Sequence, residues 1–393
     1  MIKKKIIILL SQTIDERNLN RFGFYFLKKY FDVEFWDISS IFNPRISLYA
    51  KKNKIDTKID NKFFYQIHTY SKLLKSLLAN KSAYFFDLTT YNSIFFSIIQ
   101  KIAIFNGLTK VHLTTALVPK SIFLSKKKKL LNILNSRNLL IFINFFYVYI
   151  INKISLFIKP FPSIAFIAGK EEVRNFKSRT KVVYSNSLDF NKYLSEKKIS
   201  NKKLQKEKFI LFIDTATSNH PEDFYKSEKI DNEFIKKYYY DLKLFLSNLK
   251  TETNLKIYIS LHPRTSQTYK NKIKKIFKNK NFKVVSGNTS DYIKNCRLVV
   301  NHQSSAIQFA ILWFKPTIFY FHKLQKEPEK QHTKALAKEI KSNCYEIPSN
   351  NCYNFKKIFK VNKKKYKNYI NKFITCNYNR KFNSWHIVKD VLS

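Results

Sequence analysis

Short apolar runs alternate along the chain with longer stretches in which apolar residues recur at helical spacing. Apolar runs of about five residues are typical of buried strands, and apolar residues at every third or fourth position are typical of helices packed on a sheet. In the first half, the strand-like segments are KKIIILL, DVEFWDI, SAYFFDL, KVHLTTA, SIAFIAG and KVVYS. Helix-like segments such as YNSIFFSIIQKIAIF lie between them. This alternation predicts a Rossmann-like domain with a parallel sheet over residues 1–190.

The pattern lapses and then restarts in the second half. Residues 191–208 are rich in charged side chains and lack strand character, which predicts an interdomain linker. Strand-like segments then recur at 209–213, 256–261, 282–286, 297–300 and 316–321, with helix-like segments between them. We predict a second Rossmann-like domain over 209–375 and a C-terminal segment, 376–393, expected as a helix packed back on the first domain. The expected fold is α/β, with two Rossmann-like domains facing each other across a cleft.

Three strand ends of the second domain carry a histidine beside charged or hydroxyl side chains, although the chain has only eight histidines. DTATSNHPED follows 209–213, HPRT follows 256–261 and NHQSSA follows 297–300. Ligands bind at the carboxyl ends of strands in open parallel sheets. The candidate site residues are Asp214, His220, His262, Pro263, Arg264, Asn301, His302, Ser304 and Ser305.

These residue types predict a phosphate site. Ser304 or Ser305 is expected at a helix start, where unpaired N–H groups and the positive end of the dipole can bind phosphate, although a serine there can also simply cap the helix. His262 and Arg264 add hydrogen-bonding or cationic groups, and the proline between them constrains the turn. Asp214 could serve as base or nucleophile, or as an ordinary turn or cap residue.

The absence of several sequence motifs excludes some classes of ligand and cofactor. Four glycines cannot build a GxGxxG or Walker loop, and no DxD motif is present. The four cysteines form no CxxC pair, so the sequence supports neither a zinc site nor a disulfide framework. We therefore expect no metal and no cofactor, and a nucleotide bound by side chains.

The net charge of +46 predicts a polyanionic partner. Because the excess is almost all lysine and arginine is scarce, the composition argues against nucleic acid and favours loose contact with an anionic membrane. The longest apolar run, Leu139–Ile158, is interrupted by polar residues and falls short of a bilayer span. It is expected as a buried helix or, with the lysines at 126–129 upstream, as an interfacial one. The apolar run near the N-terminus is too short for a signal peptide. We expect a cytoplasmic protein, peripheral on the inner face of the membrane.

The second half resembles bacterial GT-B glycosyltransferases that build surface carbohydrates. The motif match is to sialyltransferases, polysialyltransferases and Kdo-type transferases, which hold the CMP of an activated sugar with a His-Pro and a Ser-Ser motif. His262–Pro263 and Ser304–Ser305 match these motifs, and NHQSSAIQFAILWFKPTIFY, RFGFYFLKKYFDVEFWDIS and SNSLDFNKYL are also similar. The acidic-acidic-Gly motif that supplies the base in sialyltransferases is missing; Asp15 and Glu16 lack the glycine.

The resemblance implies a metal-independent glycosyltransferase that moves a sugar from a nucleotide donor, such as a CMP-linked nonulosonate or Kdo, to a polysaccharide or lipid-linked glycan acceptor. The His-Pro and Ser-Ser residues with Arg264 would bind the phosphate, and Asp214 or His220 would take the acceptor proton. Two alternatives stay open: a teichoic-acid-type glycerol- or ribitol-phosphate transferase, and a non-enzymatic basic protein that binds RNA or a membrane.

Overall fold

The chain folds into two compact units in a computed structural model, which describes residues 3–11, 16–42, 61–89, 93–119, 150–151, 153–155, 157–176, 178–197, 202–215, 232–262, 265, 267–349, 353–377 and 381–393. The first unit holds the described residues up to Thr115, those from 150 to Leu188 and those from Phe382 to Ser393. The second holds 116–119 and the described residues from Asp189 to Lys381.

The first unit is built on a seven-stranded parallel sheet with the order β3-β2-β1-β4-β5-β6-β7. Its strands are β1 (Lys5–Leu10), β2 (Asp32–Asp37), β3 (Phe64–Gln66), β4 (Tyr84–Asp87), β5 (Thr109–Leu113), β6 (Ile164–Ile167) and β7 (Lys181–Tyr184). Its helices include Glu16–Arg21, Phe24–Leu27, Ser39–Phe42, Tyr70–Leu78, Ile94–Phe105 and Ser384–Leu392, with 3₁₀ turns at Asn61–Phe63 and Lys170–Asn175. Alternate residues of β1 enter two different cores, so both faces of this strand are covered, which explains its unbroken apolar run.

The second unit has a six-stranded parallel sheet with the order β10-β9-β8-β11-β12-β13. Its strands are β8 (Phe209–Ile213), β9 (Lys256–Ser260), β10 (Phe282–Val285), β11 (Leu298–Asn301), β12 (Thr317–His322) and β13 (Cys344–Ile347). The helices are Leu188–Glu196, Lys202–Lys206, Asn232–Thr253, Gln267–Ile276, Thr289–Asn295, Ile307–Leu312, Glu327–Ile340 and Lys363–Tyr369, the last continuing as a π-helix at Ile370–Ile374. The two sheets confirm the predicted α/β class with two Rossmann-like domains.

The segment predicted as a linker is largely helical in its described part. Leu188–Glu196 and Lys202–Lys206 form helices, and Tyr193 and Leu204 lie in the core of the second unit. Apolar residues such as Tyr193 and Leu204 anchor these helices, while the exposed Lys192 forms an ion pair with Glu196. Tertiary packing thus overrides a composition typical of linkers.

The C-terminal helix, Ser384–Leu392, packs within the first unit. Asn383 caps it, since its Oδ1 accepts hydrogen bonds from the N–H groups of Trp385 and His386. Trp385 is buried against Gly23, where an added Cβ would overlap the indole ring, and the φ of +67° at Gly23 also favours glycine. The chain therefore returns to its first sheet after completing the second unit.

Of the apolar run Leu139–Ile158, residues 139–149 lie outside the described residues, and the described residues from 150 to 158 are helical. Among the helices that the structure describes, none combines the length and the apolar character that a bilayer span requires.

Candidate functional site

The order of the second sheet places the predicted strand ends side by side. β9, β8 and β11 are consecutive strands, and their carboxyl ends lead into His262, Asp214 and the pair Asn301–His302. β12 follows next in the sheet and ends at His322. Polar and titratable side chains thus occupy one edge across neighbouring strands, where a doubly wound sheet binds its ligand.

Asp214 is held inside this edge by a tyrosine. Its N–H donates to the carbonyl of Ser260 at 2.9 Å, and Tyr269 Oη donates to Asp214 Oδ2 at 2.9 Å. The hydroxyls of Tyr269 and Tyr239 also contact each other. Burial, and next the charge of Asp214, raise the pKa of Tyr269 well above its ordinary value, so the phenol stays a donor. The buried carboxylate of Asp214, with its hydrogen bond from Tyr269, is well suited to fixing the conformation of the chain at this strand end. A catalytic role for Asp214 stays a prediction.

The turn after β9 is fixed by Thr265. The carbonyl of His262 accepts hydrogen bonds from the N–H of Thr265 at 3.1 Å and from its Oγ1 at 2.7 Å, and Thr265 is buried. His262 as a whole is half-buried, just beyond the carboxyl end of the strand. Pro263, Arg264 and His220 lie outside the described residues, so their predicted roles stay predictions.

Asn301 and His302 bring unpaired polar atoms into the interior. Both residues are almost completely buried, and Asn301 Oδ1, Asn301 Nδ2 and His302 Nδ1 have no hydrogen-bond partner in the described part of the chain. Leaving a buried polar atom unpaired costs about 1–3 kcal/mol. Unpaired buried groups at the ligand-binding edge of a sheet are what a site for a polar ligand requires.

The two side chains point to opposite sides of the sheet. Asn301 follows the alternation of β11 and shares the side of Val299, whereas the ring of His302 stacks on Tyr320 with centroids 5.3 Å apart. Val299 and Tyr320 belong to different cores. Asn301 and His302 could therefore contact different parts of one ligand that crosses the edge of the sheet.

A chain of hydrogen bonds sets the tautomer of His302. Gln325 Oε1 accepts from the N–H of His322 at 2.8 Å, so its Nε2 is the donor to His302 Nε2 at 2.7 Å. The proton of the neutral His302 ring must then lie on Nδ1, the unpaired atom. His322 is fixed in turn, because its Nε2 donates to Asp241 Oδ2 at 3.0 Å and its Nδ1 accepts from the N–H of Leu324 at 3.1 Å.

His302 is a neutral donor. Burial lowers its pKa to about 4, outweighing the hydrogen bond to Gln325, which acts in the opposite direction, while the nearby His332 and His322 lower it further. Near neutral pH this residue offers an uncharged N–H, so its predicted part in a phosphate site is hydrogen bonding, without charge neutralisation.

The two serines precede the helix and form the turn that leads into it, whereas the prediction placed one of them at the helix start. The helix begins at Ile307, and Ala306 at its N-cap receives no side-chain cap. Ser304 Oγ accepts a hydrogen bond from the N–H of Ala306 at 3.2 Å, which closes a local turn, and Ser305 is exposed. Serine hydroxyls compete for nearby backbone N–H groups and so delay helix entry.

Several residues of this edge escaped the sequence analysis. His322 follows the strand-like segment 316–321, and the strand-end rule applied to that segment would have found it. Asp241 and Tyr269 lie within helices, and Gln325 lies in a turn, so no local pattern marks them. Only the folded chain brings them to the strand ends.

The first unit has its own buried carboxylate. Glu172, in the 3₁₀ turn after β6, contacts Thr114 Oγ1, and its Oε1 lies 3.0 Å from His112 Nε2. The side chain of Glu172 is buried and that of His112 is about one-third exposed. This pair lies at the carboxyl ends of β5 and β6, and sequence reasoning missed it because no recognised acidic motif surrounds it.

No group of three or more His, Cys, Asp or Glu side chains within the described ranges is arranged to hold a metal ion.

Comparison with known proteins gives information on the class of enzyme and on the fold. A model of the LIC12162 family transferases matches residues 185–343, which is less than half of the chain. No curated protein matches. A variant of the wall teichoic acid polymerase TagF has a TM-score of 0.50 and 11% identity, with 100% of this chain and 89% of that chain covered. The fold is of the GT-B type. The transferase match confirms the prediction of an enzyme.

Two further solved structures are similar over nearly the whole chain. The UDP-GlcNAc 2-epimerase of Methanocaldococcus jannaschii, in complex with UDP-GlcNAc and UDP, has a TM-score of 0.48 and 12% identity, and the match covers 98% of this chain and 99% of that chain. The Neisseria meningitidis UDP-GlcNAc 2-epimerase bound to UDP-GlcNAc has a TM-score of 0.46 and 9% identity, with 99% of each chain covered.

Proposed function

We propose that the protein is a glycosyltransferase whose nucleotide-sugar donor binds at the carboxyl edge of the second sheet. The observation that carries the proposal is the set of buried, unpaired polar atoms on Asn301 and His302 at the end of β11. These residues fall inside the range that matches the transferase family model. A sheet edge that leaves such groups unpaired is stabilised when a polar ligand pairs them.

The donor chemistry follows from the groups available. The Nδ1–H of His302 and the amide of Asn301 supply hydrogen bonds to phosphate or sugar oxygens without a competing positive charge. His262, with Arg264 beside it in sequence, supplies the cationic or hydrogen-bonding groups for the leaving phosphate. Charge grows on that phosphate in the transition state, and fixed donors in a dry site stabilise it there more than in the bound donor.

Gln325 acts in this proposal as a positioning residue. It touches no ligand atom; it keeps the proton of His302 on the nitrogen that faces the site, and the backbone N–H of His322 holds the amide of Gln325 in the required orientation. The chain from Asp241 to His302 thus keeps the donor ready before the substrate arrives.

The donor class is narrowed by the resemblance in the sequence. The His-Pro and Ser-Ser pairs favour a CMP-activated sugar, such as a nonulosonate or Kdo, and a surface-polysaccharide or lipopolysaccharide acceptor, with no metal in the reaction. The likeness in fold to TagF keeps a second candidate, a teichoic-acid-type glycerol- or ribitol-phosphate transferase that uses CDP-activated donors.

A thermal-shift panel tests the proposal. The panel contains CMP, CDP, UDP, GDP and their sugar or polyol conjugates, each with and without EDTA. We expect a cytidine nucleotide to raise the Tm of the protein because it binds only the folded state, and we expect EDTA to leave that shift and the turnover unchanged. CMP-sugars against CDP-polyols then separate the two donor classes.

Two results contradict the proposal. If no nucleotide shifts the Tm, while RNA binds with an affinity that falls steeply with salt, the protein is a basic binding protein instead. If a chelator abolishes turnover and Mg²⁺ or Mn²⁺ restores it, the metal-independent site is wrong.

A further inference from the structure

An apolar face of the first unit is exposed on the helix Ile94–Phe105. Its outward side chains are Phe95, Ile98, Ile102 and Phe105, with exposed fractions of 69%, 39%, 40% and 96%. Their spacing lines them along one side of the helix, and the opposite side lies in the core of the unit. A helix that is apolar on both sides and covered on only one is suited to contact with an apolar partner.

The described helical residues between 150 and 158 extend this face. Ser97 Oγ donates to the carbonyl of Ser155 at 3.5 Å, so the two helical segments are adjacent. Ile150, Ile154 and Phe157 are exposed, and Phe157 reaches 89%. Exposed aromatic and aliphatic side chains from two neighbouring helices thus form one surface, here called the apolar face.

The charges on the apolar face are positive only. Lys101 lies between the outward residues of the first helix, and Lys153 lies between those of the second; both are exposed. Neither 94–105 nor 150–158 contains an aspartate or a glutamate. The chain as a whole carries a net charge of +46, which favours an anionic partner.

The combination of apolar side chains with lysines on the apolar face favours a lipid surface over a second copy of the chain as its partner. If two copies met through the apolar face, Lys101 would be buried among apolar side chains, and neither helical segment of the face supplies a carboxylate to pair it, which is costly. At a lipid interface the exposed lysines of the face extend to the phosphates while the rings enter the apolar layer. We propose that the apolar face binds the surface of an anionic lipid bilayer.

The proposal assigns the contact to a surface different from the one expected from the sequence. The sequence predicts an interfacial segment in the run Leu139–Ile158, and only the end of that run contributes here. The helix Ile94–Phe105 supplies most of the face. The inference does not depend on the nucleotide site, since both helical segments belong to the first unit.

Vesicle flotation tests the proposal with the full chain. We expect wild-type protein to float with vesicles of phosphatidylcholine and phosphatidylglycerol, and much less with phosphatidylcholine alone. Each phenylalanine that leaves water for the interface is worth roughly tenfold in partitioning. Phe105→Ser/Phe157→Ser should therefore bind the anionic vesicles about 100-fold more weakly. Lys101→Gln should lose about fivefold on anionic vesicles and little on neutral ones.

Tyr240→Ser is the matched control. Tyr240 is 70% exposed on the helix Asn232–Thr253 of the second unit, so the same kind of change is made at an aromatic residue away from the apolar face. It should bind anionic vesicles as wild type does. Circular dichroism melts of all variants should be alike, because the substituted side chains are exposed.

Three outcomes would overturn the proposal. Wild-type protein that floats with neither vesicle does not bind lipid through this face. Equal flotation of Phe105→Ser/Phe157→Ser and wild type would place the lipid contact elsewhere on the chain. A wild-type dimer by light scattering that the double variant turns into a monomer, without vesicle binding, would make the face a contact between copies. None of these readouts uses nucleotide or turnover, so the glycosyltransferase proposal is judged separately.

Discussion

At the scale of single residues, the candidate site depends on which ring nitrogen of His302 carries the proton, and a neutral amide rather than a charged group sets that position. His302 is neutral, and its Nδ1–H exists because Gln325 donates to the other ring nitrogen. An amide can do this only when its own orientation is set, and here the N–H of His322 sets it. A single glutamine therefore decides whether His302 offers the site a donor or an acceptor.

Exchanging that glutamine for a glutamate should move the proton of His302 from Nδ1 to Nε2. In Gln325→Glu, an acceptor faces His302 Nε2, so the proton is expected on Nε2, the pKa of the ring should rise from about 4, and Nδ1 becomes an acceptor. ¹⁵N NMR of the imidazole reports the tautomer directly in the ligand-free protein. The cytidine-nucleotide Tm shift should shrink as well. Gln66→Glu, at an exposed glutamine of β3, should change neither. An unchanged tautomer in Gln325→Glu would remove Gln325 from the positioning role.

The depressed pKa of His302 also predicts how stability changes with pH. The unfolded chain protonates this ring near pH 6.5 and the folded chain only near pH 4. Above pH 6.5 the ring is neutral in both the folded and the unfolded chain, so the full stability is present. As pH drops from 6.5 to 4, the unfolded chain binds a proton that the folded chain does not, and the free energy of unfolding falls by about 3 kcal/mol. His322 and His332 are the titratable neighbours that disfavour protonation, and both are present in the variant. Urea unfolding across this range should show a shallower dependence for His302→Gln; identical slopes would contradict the buried neutral ring.

At the scale of elements, the turn between β11 and the helix Ile307–Leu312 decides what the two serines do. Ser304 closes the turn through the N–H of Ala306, while Ser305 is exposed. The hydroxyl of Ser304 is thus engaged in the turn, whereas the side chain of Ser305 is exposed. If the proposed ligand binds at this strand end, Ser305 rather than Ser304 has a hydroxyl available for it.

Separate alanine substitutions should show this division. Ser304→Ala should lower the free energy of unfolding by about 1 kcal/mol through loss of the turn hydrogen bond. Ser305→Ala should leave the Tm of the free protein unchanged and reduce the Tm shift that the cognate nucleotide produces. Each variant serves as the control for the other. If Ser305→Ala retains the full ligand-induced shift, the serine does not bind the nucleotide.

The same scale shows why some elements were predicted and others were not. β8 and β9 were located within a residue because they are apolar runs flanked by polar residues. β3 and β13 escaped because both are edge strands whose sequences, FYQ and CYEI, are broken by a polar residue and largely uncovered, so neither forms an apolar run. The helices inside the supposed linker escaped because only Tyr193, Leu204 and a few neighbours are apolar, and their burial depends on the second unit.

At the scale of the whole molecule, the amino-acid sequence alone determined the class of fold and pointed to the strand ends of the candidate site. Strands buried on both faces must be apolar throughout and helices packed on them must be apolar on one side, so two alternating βα series are visible without a structure. Strand ends are visible for the same reason, which is why Asp214, His262 and Asn301 could be named. Tertiary structure alone decided which strand ends are neighbours, that Gln325 meets His302, and that Ser384–Leu392 returns to the first sheet. These contacts join residues far apart in the sequence or in patternless turns. Such contacts form only after the chain has closed long loops between these residues. The hydrophobic periodicity of a short segment therefore carries no information about them.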